Sequence, residues 1–138
     1  MADTFLLEIV TPERVFMQDQ VEMIIFNTND GEIGVMPHHA DLAAAIVAGP
    51  LRIRRNGEWS EVFISNGFVE IFLGAAHMLV QTAEWPDEID RRRAEEALER
   101  AKRRMAHQKS HHDFLRAKAS IARALARMRV FDDTHKSS

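Results

Sequence analysis

Four arginines in the last third of the chain have the types and spacing to hold an anion. Arg93 and Arg100 are seven residues apart, which on a helix is two turns along one face. Arg123 and Arg127 are four apart, one turn along a face. If the segments carrying them fold antiparallel about residues 107–111, the stretch 93–100 lies against 121–127 and the four guanidiniums converge. Alone they repel. Around a polyphosphate each makes charge-assisted, often bidentate hydrogen bonds. Asp90 and Glu84, at the mouth of such a site, are placed to accept from a base or a sugar. The competing reading is a solvated basic face that binds nothing.

Other chemistries find less support. The seven histidines include His38-His39 after Pro37 and His111-His112 at a helix turn, and none has a third and fourth ligand at zinc spacing. Ser65-Asn66-Gly67 lacks the Gly-x-Ser-x-Gly pattern of a nucleophile elbow. No glycine-rich loop ends in Gly-Lys-Ser/Thr, so no P-loop is present. No catalytic constellation emerges, and a non-enzyme is expected. Nucleic acid is also disfavoured. After Trp85 nine acids are interleaved with fourteen bases, and only Phe114 and Phe131 offer a stacking surface.

The elements that must position these arginines fall into two modules of opposite charge. Residues 1–84 carry four basic and twelve acidic groups, a net of −8, and residues 85–138 a net of +5. The first module reads as β. FLLEIVT, VEMIIFNT, LRIRR, WSEVFIS, FVEIFL and HMLVQTAE are apolar and rich in β-branched residues. They are separated by Asn29-Asp30-Gly31, Asn56-Gly57, Asn66-Gly67 and a turn around Gly74. Asn-Gly between LRIRR and WSEVFIS is a strong hairpin signal, since both residues tolerate φ > 0. AAAIVA at 43–48 has helical propensity, but with Pro37 before it and Gly49-Pro50 after it, it reads as a strand. Turns about every ten residues with no helix between strands predict a sandwich or barrel of short antiparallel strands.

At Trp85-Pro86 the pattern changes. Residues 87–105 contain no Gly or Pro and are rich in Ala, Glu, Arg and Lys, which predicts a helix capped by Asp87. Its apolar stripe runs through Ile89, Ala94, Ala97 or Leu98, Ala101 and Met105. Ser110-His111-His112-Asp113 reads as a second capping box, opening a helix with the stripe Phe114, Ala117, Ile121, Leu125 and Met128. The tail DDTHKSS is polar and is expected to fray. The seam between the helices is thin and alanine-rich, so little apolar area holds the hairpin shut. With no cysteine, no signal peptide and no apolar run of about 20 residues, the chain is expected to be soluble in a reducing compartment.

Several stretches, in order, resemble the epsilon subunit of F-type ATP synthase. "EIVTPERVF" resembles that family's N-terminal "VVTP" strand. Gly31-Glu32-Ile33-Gly34-Val35-Met36-Pro37-His38-His39-Ala40-Asp41-Leu42 resembles its "GELGILPGHAPL" loop, and "FISNGFVEIF" its "SGGFLEV" strand. "EIDRRRA" resembles its Ile/Leu-Asp-x-x-Arg-Ala nucleotide motif. Two positions depart from the pattern: His38 stands where the family usually has Gly, and Asp41 where it has Pro. If position 38 needs φ > 0, the loop is expected to bend differently here.

The resemblance implies an α+β chain, with an N-terminal antiparallel β-sandwich of about ten strands over 1–85 and a C-terminal two-helix antiparallel hairpin over 86–138. It implies a non-catalytic rotor subunit, peripheral on the cytoplasmic face of the bacterial plasma membrane. The sandwich would dock on the gamma subunit and on the c-ring, with Glu32 and His39 in the ring-facing loop. The hairpin would fold on the sandwich with ATP as a regulatory ligand, with or without Mg²⁺, or extend into the catalytic alpha/beta head and inhibit hydrolysis. Carried over residue by residue, the ATP motif falls on Ile89, Asp90, Arg93 and Ala94, with Glu84 upstream and Arg100, Arg123 and Arg127 beyond. The arginines are then expected on phosphates, and Glu84, Asp90 and the 89–94 backbone on base and ribose. The alternatives are a free-standing cytosolic nucleotide-binding sensor and a purely structural linker.

Overall fold

A computed structural model describes residues 3–107 and 109–135. Ten strands form two five-stranded sheets. The first is ordered β2 (Val15–Val21), β1 (Phe5–Val10), β9 (Ala75–Val80), β8 (Gly67–Phe72), β5 (Leu42–Ile46). The second is ordered β10 (Ala83–Glu84), β7 (Glu58–Ile64), β6 (Gly49–Arg55), β3 (Met23–Thr28), β4 (Gly31–Val35). The sheets stack face to face, and alternation along each strand fills the space between them. Phe5, Leu7 and Ile9 of β1 meet Leu51 and Ile53 of β6, Ile24 and Phe26 of β3, and Met78 of β9 in one core. Seven of the eight strand-to-strand pairings are antiparallel. The exception is β1 with β9, which run parallel, as two strands 65 residues apart with no hairpin between them are free to do.

The turns follow backbone chemistry. In the β6–β7 hairpin Arg55 pairs with Glu58 across Asn56 (φ 52°) and Gly57 (φ 77°), the double positive φ that matches the twist of a two-residue turn. The β8–β9 turn has the same form at Leu73 (φ 51°) and Gly74 (φ 76°), although nothing about leucine favours that conformation. Gly67 is required for a different reason: a Cβ there would lie 2.0 Å from the Leu79 carbonyl oxygen. His38 adopts φ 68°. The loop therefore does not bend away from the glycine-compatible path. His38 takes the left-handed conformation itself, and its ring faces Asp3 at 3.6 Å.

A short 3₁₀ turn, Pro86–Glu88, leads into α1 (Arg91–Ala106) and α2 (His111–His135). The start of α1 differs from the sequence expectation. Asp90, not Asp87, is the N-cap, accepting from the Arg93 amide at 3.1 Å. Residues 86–88 turn tightly, and Ile89 is extended (φ −82°, ψ 122°), which drops its side chain into a buried site before the helix begins. Ser110 caps α2 as expected, with the Asp113 amide donating to its Oγ at 3.1 Å. The helix continues through residues 132–135, so that part of the polar tail is not frayed. Residues 136–138 and Gln108 lie outside the described residues.

The helices meet along Ala94, Leu98 and Ala101 of α1 and Ala117 and Ala124 of α2, a seam as thin as its composition implies. The α2 stripe is shifted from the expected one: Leu125 is exposed, and Ala124, Ala126 and Val130 are buried instead. The cause is that α2 has two partners. It packs on α1 and also on the outer face of β6 and β7. There Phe63, Ile89, Ala126 and Val130 form a second, small core with Phe131 at its edge. The run Val62-Phe63-Ile64 in β7 is buried on both faces, Val62 and Ile64 inside the sandwich and Phe63 under the hairpin.

Candidate functional site

The junction of β10, α1 and α2 forms an open cleft of about 250 Å³. Its lining includes Glu84, Asp90, Arg93, Ala94, Arg100 and Arg127, six of the eight residues expected to hold the nucleotide. β10 supplies Glu84 at the edge of the second sheet, and the first turns of α1 supply Arg93, Ala94 and Arg100. The Asp90 cap leaves the N-terminal end of α1 directed at the same space, and that end favours negative charge.

Arg127 is the best anchored of the arginines. Its Nε donates to Glu84 at 3.0 and 3.2 Å and its Nη2 at 2.9 Å, a bidentate pair, and its guanidinium lies 4.5 Å over the Phe63 ring. Both side chains are more than two-thirds buried, so the pair is worth more than the near-zero of an exposed one. It ties α2 to the edge strand of the sandwich. Glu84 is thus engaged with Arg127, and Asp90 with the α1 backbone.

Two expected residues stand apart. Arg123 does not line the cleft; its Nη2 donates to Ser120 Oγ at 3.1 Å, one turn back on its own helix. Ile89 is buried in the small core beside Phe63. Glu88 also reaches the cleft wall, a residue that spacing did not single out. It accepts from Arg14 at 2.8 and 3.0 Å and from the Trp85 amide at 2.9 Å. The Arg14 bond, then the Trp85 amide, hold its carboxyl below the ordinary value. Arg14 also donates to the Ala83 carbonyl, and Trp85 stacks on Phe16 at 4.3 Å. The hinge between sandwich and hairpin is braced from β2 and the turn before it. A second clamp closes the far side of the hairpin, where Arg91 binds both oxygens of Asp132 and also Glu95.

Glu32 is exposed on β4, the edge strand of the second sheet. His39 lies in the loop that follows, its amide donating to the Met36 carbonyl at 3.2 Å. Among the described residues no group of acids and histidines is arranged to hold a metal, and no helix is long and apolar enough to cross a membrane.

Comparison with known proteins decides the family. A model of the ATP synthase, Delta/Epsilon chain, beta-sandwich domain matches residues 4–86, and one of the long alpha-helix domain of the same family matches residues 87–132. The chain belongs to the ATP synthase Delta/Epsilon family. Members with curated names agree. The ATP synthase epsilon chain of Ruminiclostridium cellulolyticum is 42% identical over 91% of this chain and 93% of its own length. That of Caldicellulosiruptor bescii is 42% identical over 94% of each. Among solved structures, a chain of the Euglena gracilis mitochondrial ATP synthase (OSCP/F1/c-ring) superposes with a TM-score of 0.75 at 20% identity, covering 97% of this chain and 81% of that one. A chain of the Tetrahymena thermophila central stalk and c-ring gives 0.67 at 12%, covering 94% and 98%. At such identities the superpositions speak to the Delta/Epsilon fold, and the sequence relatives speak to the epsilon chain.

Proposed function

We propose that this chain is the non-catalytic epsilon subunit of a bacterial F-type ATP synthase rotor, peripheral on the cytoplasmic face of the membrane, and that ATP binding in the cleft stabilises the folded hairpin against an extended, inhibitory one. The observation that carries this reading is the composition of the cleft. Arg93 and Arg100 come from α1, Arg127 from α2 and Glu84 from the sandwich, so the site exists only while all three elements are docked. A ligand that needs all of them binds the folded state alone. At 100 times its dissociation constant it adds about 2.7 kcal/mol to that state, enough to reverse a balance set by an alanine seam.

Glu84 holds Arg127 at the cleft wall. Phosphates entering the cleft meet Arg93 and Arg100 first and compete with Glu84 for Arg127. Glu84 and Asp90, with the 89–94 backbone, take the base and ribose. Arg123 joins by leaving Ser120, a turn away from Arg127 on the same helix. When ATP falls, the basic helices extend toward the catalytic head and hold the rotor against hydrolysis. Docking of the sandwich on the stalk is supported by Phe68, Phe72 and Leu79, an exposed apolar row on the outer face of the first sheet, which we assign to the gamma subunit. Glu32 and His39 lie at the edge assigned to the c-ring.

Calorimetric titration of the full chain with ATP, with and without Mg²⁺, tests the site. Wild type binds. Arg100→Ala and Arg127→Ala each weaken binding at least tenfold, Arg123→Ala weakens it less, and Arg116→Ala on a remote turn leaves it unchanged. Equal affinity in wild type and Arg127→Ala would falsify the pocket. Co-purification with gamma and the catalytic head separates a rotor subunit from a free-standing nucleotide sensor.

A further inference from the structure

The outer face of the second sheet carries a carboxylate that the nucleotide site does not use. Glu61 projects from β7 toward the last turn of α2, and its Oε2 is buried with no hydrogen-bond partner among the described residues. The group within its reach on α2 is Asp133, another carboxylate, and both line a cleft with Trp59 and Trp85. Two ionised carboxylates cannot bond each other, but a carboxylic acid donates to a carboxylate. A proton shared with Asp133 would satisfy Glu61 Oε2.

We propose that Glu61 and Asp133 share one proton, forming a clasp that fastens the end of α2 to the sandwich and releases it as the pH rises. Arg129 and Arg52 favour the ionised form of Glu61, but less than burial and Asp133 oppose it. Arg52, opposite Glu61 on β6, lies over the Trp59 ring at 4.9 Å. Arg129, one turn back on α2, lies 3.7 Å from Asp133. On the opposite flank Glu84 of β10 is taken by Arg127, and in the 3₁₀ turn Glu88 is taken by Arg14 while Asp87 does not line this cleft. Arg55 at the cleft rim is held by Asp19.

Burial first, and then Asp133, push the Glu61 carboxyl up from its ordinary value to about 7. The docked hairpin thus binds more protons than the released one between the ordinary carboxyl value and about 7. Stability of a group raised in this way is fully present below that window and is lost as the pH climbs through it, by up to about tenfold in population per pH unit. The clasp requires only that α2 rest on the second sheet, so it holds or fails independently of whether the neighbouring cleft binds ATP.

Trp59 and Trp85 are the only tryptophans in the chain and both line this cleft, so their fluorescence reports on the clasp in the full-length protein without ATP. Hydrogen exchange of amides 126–134, corrected for the intrinsic pH dependence of exchange, reports release directly. Wild type is expected to show one fluorescence transition near pH 7 and about tenfold less α2 protection at pH 8 than at pH 6. Glu61→Gln, which carries its own donor, should lose the transition and stay protected at pH 8. Asp133→Asn should also lose it, and covers the case in which Glu61→Gln fails to fold. His135→Gln, which removes an imidazole from the same turn, should keep it. A transition that persists in Glu61→Gln or Asp133→Asn, or vanishes in His135→Gln, assigns it to another group and overturns the clasp. So does wild-type protection that does not change between pH 6 and 8.

Discussion

Leu73 shows how a single residue can oppose its own backbone. It sits in the left-handed region at the tip of the β8–β9 hairpin with 83% of its surface exposed. The side chain gains little from burial, while its Cβ crowds the following carbonyl at a cost of roughly 1–2 kcal/mol. Asn56 meets the same demand in the neighbouring hairpin with a residue suited to it. Leu73→Asn should therefore raise the unfolding free energy by about 1 kcal/mol, read as a higher urea midpoint with an unchanged slope. A drop would mean that Leu73 makes a packing contribution its exposure conceals. The same opposition of chemistry and position explains what could be read in advance at the cleft. Arg93, Arg100 and Arg127 were visible because helical spacing is local. The Glu84–Arg127 pair spans 43 residues and exists only after α2 docks, so no spacing rule reveals it, and Arg123 has the right spacing but the wrong immediate neighbour in Ser120.

Among the elements, the helical seam is where packing limits the design. Ala101 has no accessible surface, and Ala117 and Ala124 on the α2 side of the seam have nearly none. Small residues there let the helix axes approach closely, so a larger one has no room. Ala101→Leu is expected to cost about 1–3 kcal/mol of overpacking. Because the seam is thin, that strain should part the helices and leave the sandwich intact. Exchange protection should fall in α1 and α2 and stay unchanged in β1, β6 and β9; a loss of protection in all of them would mean the two modules unfold as one. The strands divide in how plainly they announce themselves. β1, β3, β6 and β8 alternate and are bounded by turns, so they are legible. β2 hides behind the polar run Gln18-Asp19-Gln20, and β4 behind two glycines in five residues. Both are edge strands, where half the backbone pairing and most of the burial signal are missing. The helix starts three residues later than local capping predicts because Ile89 is drawn into the Phe63 core before the helix can begin, a long-range demand that local capping rules do not contain.

For the molecule as a whole, the question is which module needs the other. Every residue of the large core lies between Phe5 and Ala83, whereas the hairpin contributes only Ile89, Ala126 and Val130 to a small core built on Phe63. The sandwich is therefore self-sufficient and the hairpin is a guest on its outer face, held by one buried phenylalanine, the Arg127–Glu84 pair and the Arg14–Glu88 brace. A guest held by so few contacts is suited to move, and a host with its own core is suited to stay folded while it does. Deletion of residues 87–138 should then leave a folded sandwich, with its strand signature by circular dichroism and a cooperative melt, that assembles normally. If the hairpin is the brake proposed above and the docking surfaces lie in the sandwich, ATP hydrolysis in the reconstituted synthase should rise while ion pumping per ATP hydrolysed is preserved. If hydrolysis rises but pumping collapses, an essential rotor contact resides in the hairpin. If hydrolysis does not change, the hairpin is no brake in this enzyme and the cleft senses nucleotide to some other end.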